Sequence, residues 1–83
     1  MGRTDKLAEA FKECSGPFPY RDLKRLLEAL GYADITKNAG SSRRFYNKGI
    51  DDLILCHEPH PGKEIHLYLV KQIRDQLKEK GLI

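Results

Sequence analysis

Apolar residues recur at helical spacing in three stretches of the chain, and at strand-like spacing in the stretch between the second and the third. In the first, Leu7, Ala8, Ala10 and Phe11 share one side of a helix that Thr4 is placed to cap and that Ser15, Gly16 and Pro17 stop. Phe18, Pro19 and Tyr20 then lead into RDLKRLLEALG. Here Leu23, Leu26, Leu27 and Leu30 fall at i, i+3, i+4 and i+7, and Gly31 is placed to end the helix. From Tyr32 the pattern shortens. Ile35 to Lys37, Ser42 to Asn47 and Leu53 to His57 are β-compatible runs, the last two separated by a turn containing Lys48 and Gly49. Beyond Pro59 and Pro61, the segment from Glu64 to Lys80 puts Leu69, Val70, Ile73 and Leu77 on one helical stripe. Lys78 and Lys80 lie near the negative end of that helix's dipole, and Gly81 lies past it.

The expected order is α, α, β, β, β, α, with no internal repeat. A three-stranded antiparallel meander flanked by helices buries one face of its sheet under them and leaves the other open. The fold class is therefore α+β in two layers, helices on one sheet face, with the bare face as the place for a ligand. Length limits this to a single domain over residues 1–83, because a chain of this size buries only about 60% of its unfolded surface and cannot fill a second core.

Composition adds exclusions. A hydrophobic content of 40% with 33% charged residues suits a folded globular chain. The longest apolar run, around Leu53 to Cys56, is far short of the roughly 20 residues that cross a bilayer. MGRTDKLAEAFKE goes straight into an amphipathic pattern without the apolar stretch of a signal peptide, so a cytoplasmic location and no membrane partner are expected. Cys14 and Cys56, far apart in sequence, fit reduced thiols. The net charge of +3 is mild, but its distribution is not. From Lys37 to Lys48 the chain carries Lys37, Arg43, Arg44 and Lys48 and no acidic residue.

That basic segment and three histidines are the candidate chemistry. Arg43 and Arg44 are consecutive on a strand, so they point to opposite sheet faces. They act either as a phosphate clamp or as charge protecting a strand edge. His57 and His60 lie in HEPHP, where Pro59 and Pro61 restrict the backbone on both sides of His60. They are either proton-transfer groups or hydrogen-bonding anchors of a rigid turn. His66 falls within the last helical segment and reads as structural or solvent-facing. Cys56, His57 and His60 lack a second ligand pair at zinc spacing, so no metal is expected. Phe45 reads as core, and Lys63, beside Gly62, is either a backbone-contacting or a solvated lysine.

Four pieces of sequence, DLKRLLEALGY (22–32), AGSSRRF (39–45), LILCHEPHPGKEI (53–65) and LVKQIRDQLKEKGLI (69–83), together resemble the HicA family of toxin ribonucleases. The resemblance covers Phe18 to the C-terminus and implies an αβββα core over residues 18–83, similar to the double-stranded RNA-binding domain. Residues 1–17 resemble the additional N-terminal helix of a longer branch. The resemblance further implies a metal-independent endoribonuclease, an mRNA interferase of a type II toxin-antitoxin system, with no cofactor. Its implied partners are mRNA and a HicB-like antitoxin protein. In the family pattern a Gly-Ser pair is followed by the histidine on which RNA cleavage depends, whereas here Gly40 and Ser41 are followed by Ser42. The substitution is either natural to a branch carrying HEPHP or a replacement that disarms the protein, and in either case weak or absent cleavage is expected. The implied catalytic set is Ser42, His57 and His60; the implied RNA contacts are Lys37, Ser41, Arg43, Arg44 and Lys63. Two other functions fit the same residues: a non-catalytic RNA-binding module, and a protein-interaction domain.

Overall fold

The chain runs through α1 (Arg3–Glu13), β1 (Phe18–Pro19), α2 (Tyr20–Ala29), β2 (Tyr32–Asp34), β3 (Ser42–Asn47), β4 (Asp52–His57), β5 (Glu64–Ile65) and α3 (Leu67–Glu79). This computed structural model describes residues 3–37, 40, 42–59 and 62–83, and the side chains from residue 5 onward. Strands β2, β3 and β4 form an antiparallel meander in that order, and β1 pairs with β5 in a separate two-stranded sheet. Helices on one side of a three-stranded sheet, in the αβββα order, are the double-stranded RNA-binding arrangement implied by the sequence.

Strand alternation decides which face the helices cover. Along β4, Asp52, Ile54 and Cys56 are buried while Leu53, Leu55 and His57 are exposed. On β3 the inward positions are Phe45 and Asn47. The inward set meets Leu23, Leu26 and Leu27 of α2 and Leu69, Val70, Ile73 and Leu77 of α3 in one hydrophobic cluster. Phe11 of α1 is fully buried in that cluster, with its ring edge-on to Phe18 at 5.1 Å between centroids. Arg74 of α3 fixes the end of α1 by donating from Nη1 to the carbonyls of Lys12 and Cys14, both at 3.0 Å. The Lys12 carbonyl is among the last of α1, which have no partner within their own helix, and Cys14 follows the helix directly. The first helix is therefore built into the core.

Two polar devices hold the sheet to the helices. Tyr32 donates its hydroxyl to Asp52 Oδ2 at 2.5 Å, Gln76 Nε2 donates to the same oxygen at 3.0 Å, and Lys80 Nζ lies 3.7 Å from Oδ1. Burial alone would raise the pKa of Asp52, but these hydrogen bonds and the Lys80 charge outweigh it and hold the carboxyl below its usual range. Asn47 donates from Nδ2 to the carbonyl of Leu30 at 3.1 Å and accepts from the Gly49 amide at 3.0 Å, tying the end of α2 to the β3–β4 turn. Gly31 sits against it at φ 104°, and a Cβ there would lie 3.0 Å from Asn47 Nδ2. Only glycine fits both conditions.

Several boundaries differ from the sequence expectation. The first strand of the meander is Tyr32–Asp34, not Ile35 to Lys37. Tyr32 is drawn in because it pairs with Asn47 and reaches Asp52. The last helix begins at Leu67, because Glu64 and Ile65 are spent on pairing with Pro19 and Phe18. His66 is accordingly the residue before the helix, exposed and stacked on Tyr68 at 6.1 Å between rings. Helix α1 starts at Arg3, which places Thr4 inside its first turn and not at the cap. Cys14 and Cys56 are both free. Among the described residues no helix is long and apolar enough to cross a membrane.

Candidate functional site

The open face of the meander is assembled from the outward positions of β3 and β4. Their register sets Ser42 opposite His57, Arg44 opposite Leu55, and Tyr46 opposite Leu53. Directly opposed residues in an antiparallel pair project to the same side, with Cβ atoms about 4.5–5.5 Å apart. The face thus carries a row of Ser42, Arg44 and Tyr46 beside a row of His57, Leu55 and Leu53. Leu53 and Leu55 are 42% and 58% exposed, which is a large apolar surface to leave on an 83-residue chain. Tyr46 donates its hydroxyl to Asp51 Oδ1 at 2.5 Å, so the ring is held along the sheet.

At the Ser42 end a hollow of about 280 Å³ is lined by Ile35, Thr36, Lys37, Ser42 and Arg44. It forms because the segment after β2 is tied down. Ile35 donates its amide to the Arg44 carbonyl at 2.8 Å, and Arg44 returns its own amide to Thr36 Oγ1 at 2.9 Å. Asp34 Oδ1 accepts the Thr36 amide at 2.9 Å. Hydrogen bonding to Thr36, aided by the charges of Lys24 and Arg43, holds the Asp34 carboxyl below its ordinary pKa. The result is a shallow polar recess with two cationic side chains and two hydroxyls.

Arg43 lies on the opposite side of the sheet. Its Nε and Nη2 reach Glu58 Oε1 at 3.0 and 2.9 Å, and its Nη1 donates to the carbonyls of Gly40 and Ser42 at 2.5 and 3.2 Å. The guanidinium thus fastens the chain entering β3 to the residue that follows β4, and the hydrogen bonds to Glu58 raise its pKa further. Nearby, burial pushes the Tyr20 hydroxyl up to about 12 and the Cys56 thiol up to about 11. Acidic neighbours add to both: Glu58 and Asp34 act on Tyr20, and Asp34 on Cys56. Both groups keep their protons near neutral pH. Lys63 belongs to a separate cleft of about 540 Å³ on this side, lined with Tyr20, Arg21, Asp22, Glu58, Pro59 and Gly62. The Tyr20 amide donates to the Lys63 carbonyl at 2.9 Å, closing the cleft's floor.

The sequence-derived site residues therefore divide. Ser42, His57, Arg44 and Lys37 come together at one end of the open face; Arg43 and Lys63 sit toward the helical side. Ser41 and His60 lie outside the described residues. Thr36 and Glu58 were missed. Thr36 gave no signal in sequence, since its role depends on the Arg44 amide. Glu58, in HEPHP, becomes legible only once the register sets Arg43 opposite Cys56. Among the described residues no group of three or more His, Cys, Asp or Glu side chains is placed to hold a metal ion.

No match to the chain was found among curated proteins or among solved structures. A sequence model of the HicA toxin of bacterial toxin-antitoxin systems does match, over residues 20–82. The matched span starts at the first residue of α2 and runs past the end of α3, taking in the whole meander and leaving out α1 and β1. With most of the fold inside that span, the chain belongs to the HicA toxin family, and membership brings an antitoxin as its partner in a toxin-antitoxin system.

Proposed function

We propose that this toxin is a metal-independent endoribonuclease that binds and cleaves messenger RNA, and that a HicB-like antitoxin silences it by covering the same open face. The observation that carries this reading is the recess in which Lys37 and Arg44 stand beside the hydroxyls of Thr36 and Ser42. Two cations and two hydroxyl donors suit a phosphodiester, whose oxygens accept hydrogen bonds and whose charge builds during cleavage. The exposed Leu53, Leu55 and Tyr46 continue away from that recess, offering apolar surface to sugar and base. Ser41 is kept as a proposed RNA contact, and Lys63 as one that would act only on RNA reaching beyond the open face to its separate cleft. Arg43 supports it indirectly, by holding the strand entrance that carries Ser42.

Cleavage through the 2′-hydroxyl needs a base for its proton and positive donors around the phosphate. Ser42 stands where the family pattern has its histidine, and a serine hydroxyl does not exchange protons near neutral pH as an imidazole does. This favours a second reading, an RNA-binding module that does not cut. One experiment separates the two. Purified full-length protein is titrated into single-stranded RNA at several salt concentrations, and RNA length is followed over time in the same samples. The endoribonuclease reading expects salt-dependent binding with accumulation of fragments. Binding without fragments supports the module, and no binding at low salt removes RNA altogether in favour of a protein-interaction domain.

A further inference from the structure

We infer that His57, reaching across from β4, is the general base of this toxin, and that Ser42 is the residue that positions it. The inference rests on the endoribonuclease reading and names the group that reading otherwise lacks. Three observations carry it. His57 is the direct cross-strand partner of Ser42 in the β3–β4 register. Both side chains are exposed on the open face, at the end where Lys37 and Arg44 border the recess. Arg44 pairs with Leu55, so His57 is also its diagonal neighbour, about 7–8 Å away between backbones, a spacing that one phosphate bridges.

The small side chain at position 42 is what makes this geometry work. With Cβ atoms about 4.5–5.5 Å apart, a short partner leaves a ring on the other strand free to lean over it. Serine leaves the space open and adds, across the pair, a hydroxyl able to accept an imidazole N–H, which would fix which ring nitrogen is basic. No element packs over the open face among the described residues. The charged group nearest His57 on this face is Arg44 of β3, its diagonal neighbour; Lys37 borders the recess on the other side of β3, and the adjacent Glu58 is held by Arg43 on the opposite side of the sheet. In the step itself, the neutral imidazole takes the 2′-hydroxyl proton as the 2′-oxygen bonds to phosphorus. The bond from phosphorus to the 5′-oxygen breaks, and that oxygen takes a proton from water. The products end in a 2′,3′-cyclic phosphate and a 5′-hydroxyl, and the imidazolium returns its proton to solvent.

The test compares wild type, His57→Ala, His57→Gln, Ser42→Ala and the double variant Ser42→His with His57→Ala, all full-length. Single-turnover cleavage of a labelled single-stranded RNA is followed across pH, with RNA affinity and circular dichroism measured in parallel. Loss of His57 should lower cleavage by about 10²- to 10⁴-fold and abolish the acid limb of the pH profile, with affinity within about twofold. Ser42→Ala should lower the rate constant by a larger factor than it lowers affinity, since the hydroxyl is also one of the recess donors, and the double variant should regain cleavage, since its imidazole returns to the same space from the other strand. Wild-type cleavage by folded His57→Ala and His57→Gln would overturn the assignment while leaving the ribonuclease reading intact. Failure of the double variant to regain cleavage, when it folds and binds RNA, would overturn the shared position of the two residues. A wild type that binds RNA and never cuts it would overturn the ribonuclease reading itself, and His57 as its base with it.

Discussion

Arg43 and Arg44 are adjacent in sequence, carry the same charge, and should nevertheless respond differently to replacement by alanine. Arg44 borders the recess on the open face, whereas the Arg43 guanidinium is occupied by Glu58 and by the carbonyls of Gly40 and Ser42. Each phosphate neutralised on a single strand contributes about 0.7 to the slope of log affinity against log salt. Removing one such contact at Arg44 should flatten the slope by about that amount. Between 50 and 200 mM salt, a fourfold change, one contact of this kind accounts for roughly a threefold change in affinity. Arg43→Ala should leave the slope nearly as it is, because its charge is already matched by Glu58. Its effect should appear instead in the ordering of the strand entrance, read as faster amide exchange around Ser42. Fluorescence anisotropy of a labelled single-stranded RNA at four or more salt concentrations measures the slopes directly. Equal flattening by both variants, or greater flattening by Arg43→Ala, would refute the division of labour between the two sides of β3.

Two further outcomes test the fold that supports this face. Phe11→Ala should cost about 3–5 kcal/mol, the usual range for emptying a fully buried aromatic site, which is a large share of the roughly 4–12 kcal/mol expected for a domain of this length. Urea denaturation measures it, and an unchanged midpoint would mean that α1 docks without supporting the core. Asp52 is held below its ordinary pKa, so its charged form stabilises the fold above the ordinary carboxylate value of about 3.9, and that contribution is lost as pH falls through its lower folded value. Thermal melts from pH 6 to pH 2.5 should therefore show a shallower acid decline for Asp52→Asn than for wild type; parallel declines would assign the acid sensitivity to other carboxylates.

The helices were legible because their signal is local. Leu23, Leu26 and Leu27 announce a buried stripe whatever lies opposite, and they are buried. Ser42–Asn47 and Leu53–His57 were legible as strands from their β-compatible residues, but the unbroken apolar run Leu53–Cys56 hides which positions face inward, and that alternation shows only in the burial along β4. Pairings between distant segments were not. Nothing near Glu64 and Ile65 marks them as a strand; they become one because Phe18 and Pro19 lie alongside. Tyr32 likewise lay before the expected first strand, Ile35 to Lys37, and joins the meander because Asn47 pairs with it and Asp52, twenty positions later, takes its hydroxyl. At the candidate site the same limit applies. The basic segment was visible as charge, but only the β3–β4 register separates Arg43 from Arg44 and places His57 opposite Ser42.

That register also predicts that the site can be altered without losing the fold. The β3–β4 pairing runs from Ser42 and His57 at one end to Asn47 and Asp52 at the other. Five residue steps at about 3.4 Å place the two ends about 17 Å apart. The polar groups that bind sheet to helices, Asn47 with Leu30 and Asp52 with Tyr32, Gln76 and Lys80, are all at the second end. The recess and the histidine are all at the first. Substitutions at Ser42 and His57 leave those hydrogen bonds untouched and remove no side chain from the core. Energetic effects of sites separated by more than about 10 Å without shared partners usually add independently. On the proposed endoribonuclease reading, changes in cleavage at the first end should therefore report on chemistry and changes at Asn47 or Asp52 on stability, and an antitoxin laid over the open face as proposed would block the first without engaging the second.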